Sequence, residues 1–155
     1  MKYRGLAYDR ARESHYFVYG LPSYGFETDE IAEIGTVDGE FIDIDPSTLG
    51  RATGYRDKKG KEMYTGDITT LEVDGEKRTF EVVEINTDRE YNTLQGFDGN
   101  TVKVRLQGVV AFKWDTGKEI YHLLPCVDAR GICDTERMEI IGDIHTQAER
   151  SSRTK

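Results

Sequence analysis

The chain has 155 residues, of which 37% are apolar and 32% charged, and its formal net charge is −8. This length is enough for the hydrophobic core of one domain. No apolar run approaches the roughly 20 residues of a membrane-spanning helix. The acidic net charge disfavours unspecific attraction to nucleic acid. Because the N-terminal residues lack the apolar stretch of a secretory signal, we expect a cytoplasmic protein.

Short runs of β-branched and aromatic residues, separated by glycine-containing turns, recur along the chain. We predict strands near residues 2–8, 15–19, 40–44, 61–64, 67–73, 78–86, 90–97, 101–106, 108–114, 119–124 and 138–144. Pairs such as Asp74-Gly75 favour hairpin turns, because glycine adopts positive φ without a Cβ clash. The spacing indicates a mainly β fold, with a β-rich α+β fold as the alternative, and we expect a small SH3-like or Greek-key barrel.

Helical patterns in the sequence are short. Residues 28–34 could form one helical piece that Gly35 would end, and Asp45-Pro46 could begin a single capped turn that stops at Gly50. We therefore divide the chain into three parts. They are an acidic, loop-rich N-terminal segment over residues 1–52 that packs on the barrel, a barrel-like domain over residues 53–145, and a flexible tail over residues 146–155.

Charge is distributed unevenly along the chain. Eight acids and no lysine or arginine lie between Glu27 and Asp45, whereas five basic residues and one acid lie between Arg51 and Lys61. The basic set, which supplies our candidate binding residues, is Arg51, Arg56, Lys58, Lys59 and Lys61. These side chains could contact phosphate groups or an acidic partner. The stretch is also typical of a tight turn, in which Asp57 accepts hydrogen bonds from the downstream backbone and Gly60 adopts positive φ.

Two other groups of residues could carry chemistry. Asp43 and Asp45 lie two residues apart at a predicted strand end and could hold Mg²⁺, although an acidic surface and a capped turn explain them as well. The other group contains His122, Cys126, Asp128 and Cys133. Its spacing matches no zinc pattern, and two reduced, partly buried cysteines explain it. Because no phosphate-binding loop, nucleophile elbow or zinc-protease motif occurs, we expect no catalytic residues, no metal and no cofactor.

Three blocks of sequence stand out at the two ends and in the centre of the chain. They are Lys2-Tyr3-Arg4-Gly5-Leu6-Ala7-Tyr8-Asp9, Thr53-Gly54-Tyr55-Arg56-Asp57-Lys58-Lys59-Gly60-Lys61-Glu62-Met63-Tyr64-Thr65-Gly66-Asp67-Ile68 and Glu139-Ile140-Ile141-Gly142-Asp143-Ile144-His145. Together they resemble the YopX family of bacteriophage and prophage proteins, and the central block is the most specific of the three. The resemblance implies a mostly β protein encoded by a phage or prophage. It supplies no catalytic residues, because none are established for the family.

Three functional hypotheses from different classes remain open at this point. The first is a non-enzymatic accessory protein that binds or assembles with protein partners inside a bacterial host cell, with self-association into a homo-oligomer. The lack of catalytic motifs, the acidic charge and an aromatic-rich β composition with free sheet edges favour it. The alternative is a nucleic-acid-binding β-barrel whose basic turn, residues 51–61, contacts phosphates. A metal-dependent phosphodiesterase on Asp43 and Asp45 is a third hypothesis.

Overall fold

The computed structural model of the chain describes residues 2–24, 31–92 and 101–146. The strands within these ranges are β1 (Tyr3–Asp9), β2 (Ser14–Tyr24), β3 (Ile31–Gly35), β4 (Phe41–Asp43), β5 (Gly50–Arg56), β6 (Glu62–Tyr64), β7 (Asp67–Val73), β8 (Glu76–Asn92), β9 (Thr101–Asp115), β10 (Ile120–Leu123) and β11 (Glu139–Asp143). Two short 3-10 turns, Pro46–Thr48 and Asp134–Arg137, interrupt them. The prediction of a mainly β fold is confirmed.

The strands form two antiparallel sheets. The N-terminal sheet has the order β4-β3-β2-β1-β5-β6, and the C-terminal sheet has the order β10-β9-β8-β7-β11. Among the described residues each sheet ends in free edges, so the strands do not close into the barrel that the sequence predicted. A barrel requires the last strand to bond to the first, whereas here the chain crosses from one sheet to the other between β6 and β7.

Four strands differ from their sequence-based predictions. Ile31–Gly35 is a strand rather than the end of a helix, because it pairs with both β2 and β4 and fully buries Ile34. Gly50–Arg56 is also a strand, bonded to β1 on one side and β6 on the other. Finally, β8 and β9 run through their predicted breaks. The extra residue of β9 at Gly108, where φ is 65°, is absorbed by a bulge that Asn86 closes with a 2.8 Å hydrogen bond from the Gly108 N–H.

The strand assignments do not test every prediction about the organisation of the chain. The division into residues 1–52, 53–145 and 146–155 stays a prediction, although β5 and β6 pair within the N-terminal sheet. Residues 147–155 of the predicted tail and residues 28–30 of the predicted helix lie outside the described ranges. No helix within the described ranges is long and apolar enough to cross a membrane.

Each sheet has its own buried apolar cluster. The cluster of the N-terminal sheet consists of Ala7, Val18, Ile34 and Ile44. The cluster of the C-terminal sheet consists of Met63, Phe80, Val82, Phe112 and Met138. Because Met63 belongs to β6 of the N-terminal sheet, this second cluster also packs the two sheets against each other.

A buried ion pair joins the sheets at the point where the chain crosses. Arg4 of β1 lies 2.7 Å from the carboxylate of Asp67 at the start of β7, and both side chains are almost completely buried. The guanidinium lies over the rings of Phe17 and Tyr64, at 4.1 and 5.0 Å from their centroids. Burial raises the pKa of Asp67, although the charge of Arg4 opposes this shift. The pair therefore depends on the enclosing rings and on the Tyr64 N–H, which donates to Asp67 at 2.8 Å.

Candidate binding site

The basic residues predicted from the sequence do not form one patch. Arg51 lies near the start of β5 while Arg56 ends it, so the two side chains lie at opposite ends of the strand. Arg51 lies against the C-terminal sheet, where its guanidinium is 2.7 Å from Glu84 and donates to the Gly108 carbonyl at 2.9 Å. Arg51 is therefore a half-buried link between the sheets.

The other four basic residues lie at the β5–β6 turn, and three of their side chains contact the protein itself. Lys58 and Lys59 both contact the carboxylate of Glu139, at 3.3 and 2.7 Å. Hydrogen bonds from these two lysines lower the pKa of Glu139. Arg56 donates to the Gly60 carbonyl at 2.9 Å. Lys61 is exposed beside them. Much of the positive charge at this turn is thus already paired.

Asp57 is the organising residue of the same turn. One carboxylate oxygen accepts from the N–H groups of Lys59 and Lys61, both at 2.9 Å, and the other accepts from Ile140 N–H at 3.1 Å. Gly60 completes the turn with φ of 80°. As the sequence predicted, Asp57 accepts from the downstream backbone. The bond to Ile140 of β11 was not predictable from spacing, and it fastens the turn to the C-terminal sheet.

The carboxylates Asp43 and Asp45 line a polar cleft with His15. Asp45 caps the 3-10 turn by accepting from the Ser47 N–H at 3.0 Å and from the Ser47 hydroxyl at 2.7 Å. These hydrogen bonds lower the pKa of Asp45. Over the described ranges, no group of three or more histidine, cysteine, aspartate or glutamate side chains is arranged to hold a metal ion. The structure therefore assigns Asp45 a capping role and adds no ligand set to it.

The second predicted cluster is dispersed along one loop and its flanks. His122 lies on β10, and the two cysteines are free thiols, Cys126 exposed and Cys133 half-buried. Asp128 accepts from the N–H groups of Arg130 and Ile132 at 2.8 and 3.0 Å and pairs with Arg137. The carboxylate thus closes its own loop.

The most distinctive concave surface is an apolar groove that sequence reasoning missed. It lies on the face of the C-terminal sheet that carries Phe80 and Phe112, between the sheet and the loop that follows β10, and encloses about 380 Å³. Its lining residues are Leu71, Val73, Arg78, Phe80, Phe112, Leu123, Leu124, Pro125, Cys126, Asp134 and Met138. We call this surface the β10 groove. The one sequence signal for it is the apolar run Leu123-Leu124-Pro125 at the end of a strand.

Two charged side chains line the β10 groove, and only one of them is engaged. Asp134 accepts a 2.9 Å hydrogen bond from the Cys126 N–H and so holds the loop that forms one wall. Arg78 lies over the ring of Trp114, 4.6 Å from its centroid. Its Nε is buried without a hydrogen-bond partner, and no described residue forms an ion pair with it. The groove is therefore apolar with a single unneutralised cation.

A free sheet edge borders the groove. β10 is the terminal strand of its sheet, and among the described residues it pairs only with β9. This pairing places Tyr121 opposite Trp114 and Leu123 opposite Phe112 on the groove face. Ile120, Tyr121 and Leu123 are 55%, 42% and 38% exposed. Arg89 approaches this edge, with its Nη1 at 3.4 Å from the His122 carbonyl. At that length the contact is weak. The edge therefore presents apolar side chains, with Arg89 as a weakly bound neighbour.

The comparisons with known proteins identify a family but no individual relative. Residues 20–150 match the family model described as YopX protein. That range contains the central block at residues 53–68 and the C-terminal block at residues 139–145. It leaves out the N-terminal block, which forms strand β1 in the interior of the N-terminal sheet. No curated protein and no solved structure matches the chain significantly. Because the match covers most of the sequence, this chain belongs to the YopX family.

Proposed function

We propose that the protein is a non-enzymatic binding module, a phage or prophage accessory protein that acts in the cytoplasm of a bacterial host cell. Its ligand is a segment of a protein partner that lies in the β10 groove. The observation that carries this proposal is an apolar groove of about 380 Å³ that opens beside a free edge strand.

The groove and the edge support binding in complementary ways. An edge strand offers backbone N–H and C=O groups to an added strand, and a groove beside it takes alternate side chains of that strand. The apolar side chains at the rim would leave water on binding, which contributes roughly 25 cal/mol per Å². Edge strands of monomeric proteins usually carry lysine, proline or a bulge as protection. β10 carries none of these within Ile120–Leu123.

The alternative, a nucleic-acid-binding protein, has less support from the geometry. Lys58 and Lys59 already pair with Glu139, and Arg51 lies with Glu84 far from the turn. A phosphate backbone would have to displace Glu139 to use these lysines. We keep the alternative as an outcome of the experiment.

The test is a tagged pull-down from host cells that carry the phage or prophage, with and without nuclease. The wild type is compared with Leu124→Glu, which places a carboxylate at the rim of the β10 groove. The matched control is Phe41→Glu, since Phe41 is 68% exposed on the edge strand β4 of the other sheet. Light scattering on the purified variants reports whether the partner is a second copy of the chain.

We expect a protein partner that survives nuclease, is lost with Leu124→Glu and is retained with Phe41→Glu. Retention of the same partner by both variants would refute the assignment to the groove. Loss of all partners on nuclease treatment would favour the nucleic-acid alternative, which also requires that affinity fall steeply as salt rises.

A further inference from the structure

We propose that the β10 groove selects an extended apolar segment that carries an acidic side chain, and that Arg78 receives its carboxylate. This inference rests on the proposed function and names the chemistry of the partner. It concerns a residue that neither the composition nor the family resemblance points to, since Arg78 lies outside the basic turn and outside all three similar blocks.

The position of Arg78 is set by the sheet register. Arg78 lies opposite Leu71 on β7. Along β8, Arg78, Phe80 and Val82 are spaced two residues apart, and Phe80 and Val82 are buried on the groove face. Successive residues of a strand point to opposite faces, so Arg78 belongs to the same face as these two apolar residues. A guanidinium thus lies within a surface that is otherwise apolar.

The local contacts hold this guanidinium in place without satisfying it. Its Cζ lies 4.6 Å from the centroid of the Trp114 ring. Trp114 in turn contacts Phe80 and Tyr121, with ring centroids 6.3 and 5.8 Å away. Stacking on an aromatic ring orients an arginine but uses none of its N–H donors. The Nε of Arg78 is buried without a partner. Its terminal Nη groups, which are not buried and make no hydrogen bond to a described residue, are the donors that an incoming carboxylate would reach.

Charge complementarity decides the kind of occupant. The only acidic side chain that lines the described groove is Asp134, and its Oδ2 already accepts from the Cys126 N–H. An arginine fork accommodates a carboxylate with two parallel hydrogen bonds. Apolar side chains of the occupant would contact Leu71, Leu123 and Met138. An extended segment with an acid among alternating apolar residues satisfies both requirements.

A direct test uses fluorescence, because Trp114 is the only tryptophan of the chain. The probes are short blocked peptides in which every other residue is leucine and the rest are threonine. One leucine is replaced in turn by glutamate or by glutamine, which have similar shape but differ in charge. Each peptide is titrated into wild type, Arg78→Gln, Arg78→Lys and Lys77→Gln. The last is the matched control, since Lys77 is the preceding residue, on the opposite face, and its loss changes net charge equally.

We expect at least one glutamate peptide to change Trp114 fluorescence. This peptide should bind wild type about 10- to 100-fold more tightly than its glutamine counterpart, because that ratio corresponds to the free energy of a hydrogen bond to a charged group. Lys77→Gln should keep this preference. Arg78→Gln should abolish it, and Arg78→Lys should retain part of it, since lysine keeps the charge without the fork.

The outcomes separate this inference from the proposed function. Peptides that bind with no preference for glutamate overturn the role of Arg78 and leave the groove as a binding site. A preference that persists in Arg78→Gln shows that another group recognises the acid, which also overturns it. If no peptide binds while the pull-down partner still depends on Leu124, the extended segment is wrong and the groove binds a different shape. If Arg78→Gln does not fold, Arg78→Lys makes the same test, because a glutamate preference unchanged from wild type in that variant would overturn the role of the arginine fork.

Discussion

Replacing Asp57 by Asn would isolate one hydrogen bond between the two sheets. Asp57 is 5% exposed and accepts from the N–H groups of Lys59, Lys61 and Ile140 at 2.9, 2.9 and 3.1 Å. Asn has nearly the same shape but only one accepting oxygen. If that oxygen stays on the turn, the amide NH₂ faces the Ile140 N–H, and two donors oppose each other.

The expected cost follows from the loss of one buried acceptor. Leaving a buried donor unpaired costs about 1–3 kcal/mol. For a chain of 150–250 residues each kcal/mol lowers Tm by about 2–4 °C, so Asp57→Asn should lower it by about 2–12 °C. Thermal unfolding followed by circular dichroism, together with urea unfolding, measures both quantities.

The chain contains its own control for this substitution. Asp128 closes a turn of the same form, with N–H donors two and four residues downstream and a glycine, Gly131, whose φ is 80° like that of Gly60. Its second oxygen contacts the half-exposed Arg137 instead of a backbone N–H. A surface ion pair contributes little, so Asp128→Asn should lower Tm less than Asp57→Asn. Equal losses, or no loss with Asp57→Asn, would refute the idea that the Ile140 bond stabilises the fold.

Three further predictions concern the core and the charges. Arg4→Met leaves the Asp67 carboxylate buried without its cation and should lower the free energy of unfolding in urea by about 3–5 kcal/mol. The double variant with Asp67→Asn should lose less than the single variant. A double variant less stable than Arg4→Met would contradict this. Phe112→Ala removes a ring that is 1% exposed and should cost about 3–5 kcal/mol, and an unchanged thermal melt would be incompatible with its place in the core. The third prediction concerns pH. Lys59 and Lys58 hold the pKa of Glu139 below 4.5, so the stability that Glu139 contributes is present above that pH and is lost as pH falls. The free energy of unfolding of wild type should therefore exceed that of Glu139→Gln by less and less on acidification. A difference that stays constant with pH would contradict the pairing.

Much of the strand pattern was predictable because it is encoded locally. The β7–β8 hairpin is an example, since Asp74-Gly75 forms the turn and Val73 lies opposite Glu76. The Asp57 turn is another, because a carboxylate and a glycine at fixed offsets specify the bonds that close it. Ile31–Gly35 was assigned wrongly for the opposite reason. Its local pattern favours a helix, and only pairing with β2 and β4 makes it a strand.

The candidate site depended on information that the sequence does not carry locally. The basic residues between 51 and 61 are adjacent in sequence, but β5 carries Arg51 away from the turn. The β10 groove combines residues from 71 to 138 and forms only when β7, β8, β9 and the loop after β10 come together. Arg78 has no distinguishing sequence context. Only the fold reveals that it lines an apolar groove and forms no ion pair with a described residue.

The Asp57–Ile140 hydrogen bond spans 83 positions of the chain, and this has a consequence for biosynthesis. β11 covers one side of β7, yet the ribosome makes it long after β7 has emerged. At about 5–20 residues per second, several seconds separate the two strands. Throughout that interval the nascent chain exposes an unpaired β7 edge together with the apolar residues that Met138 later covers. The yield of folded protein in cells should therefore depend on translation speed and on chaperones that shield this edge.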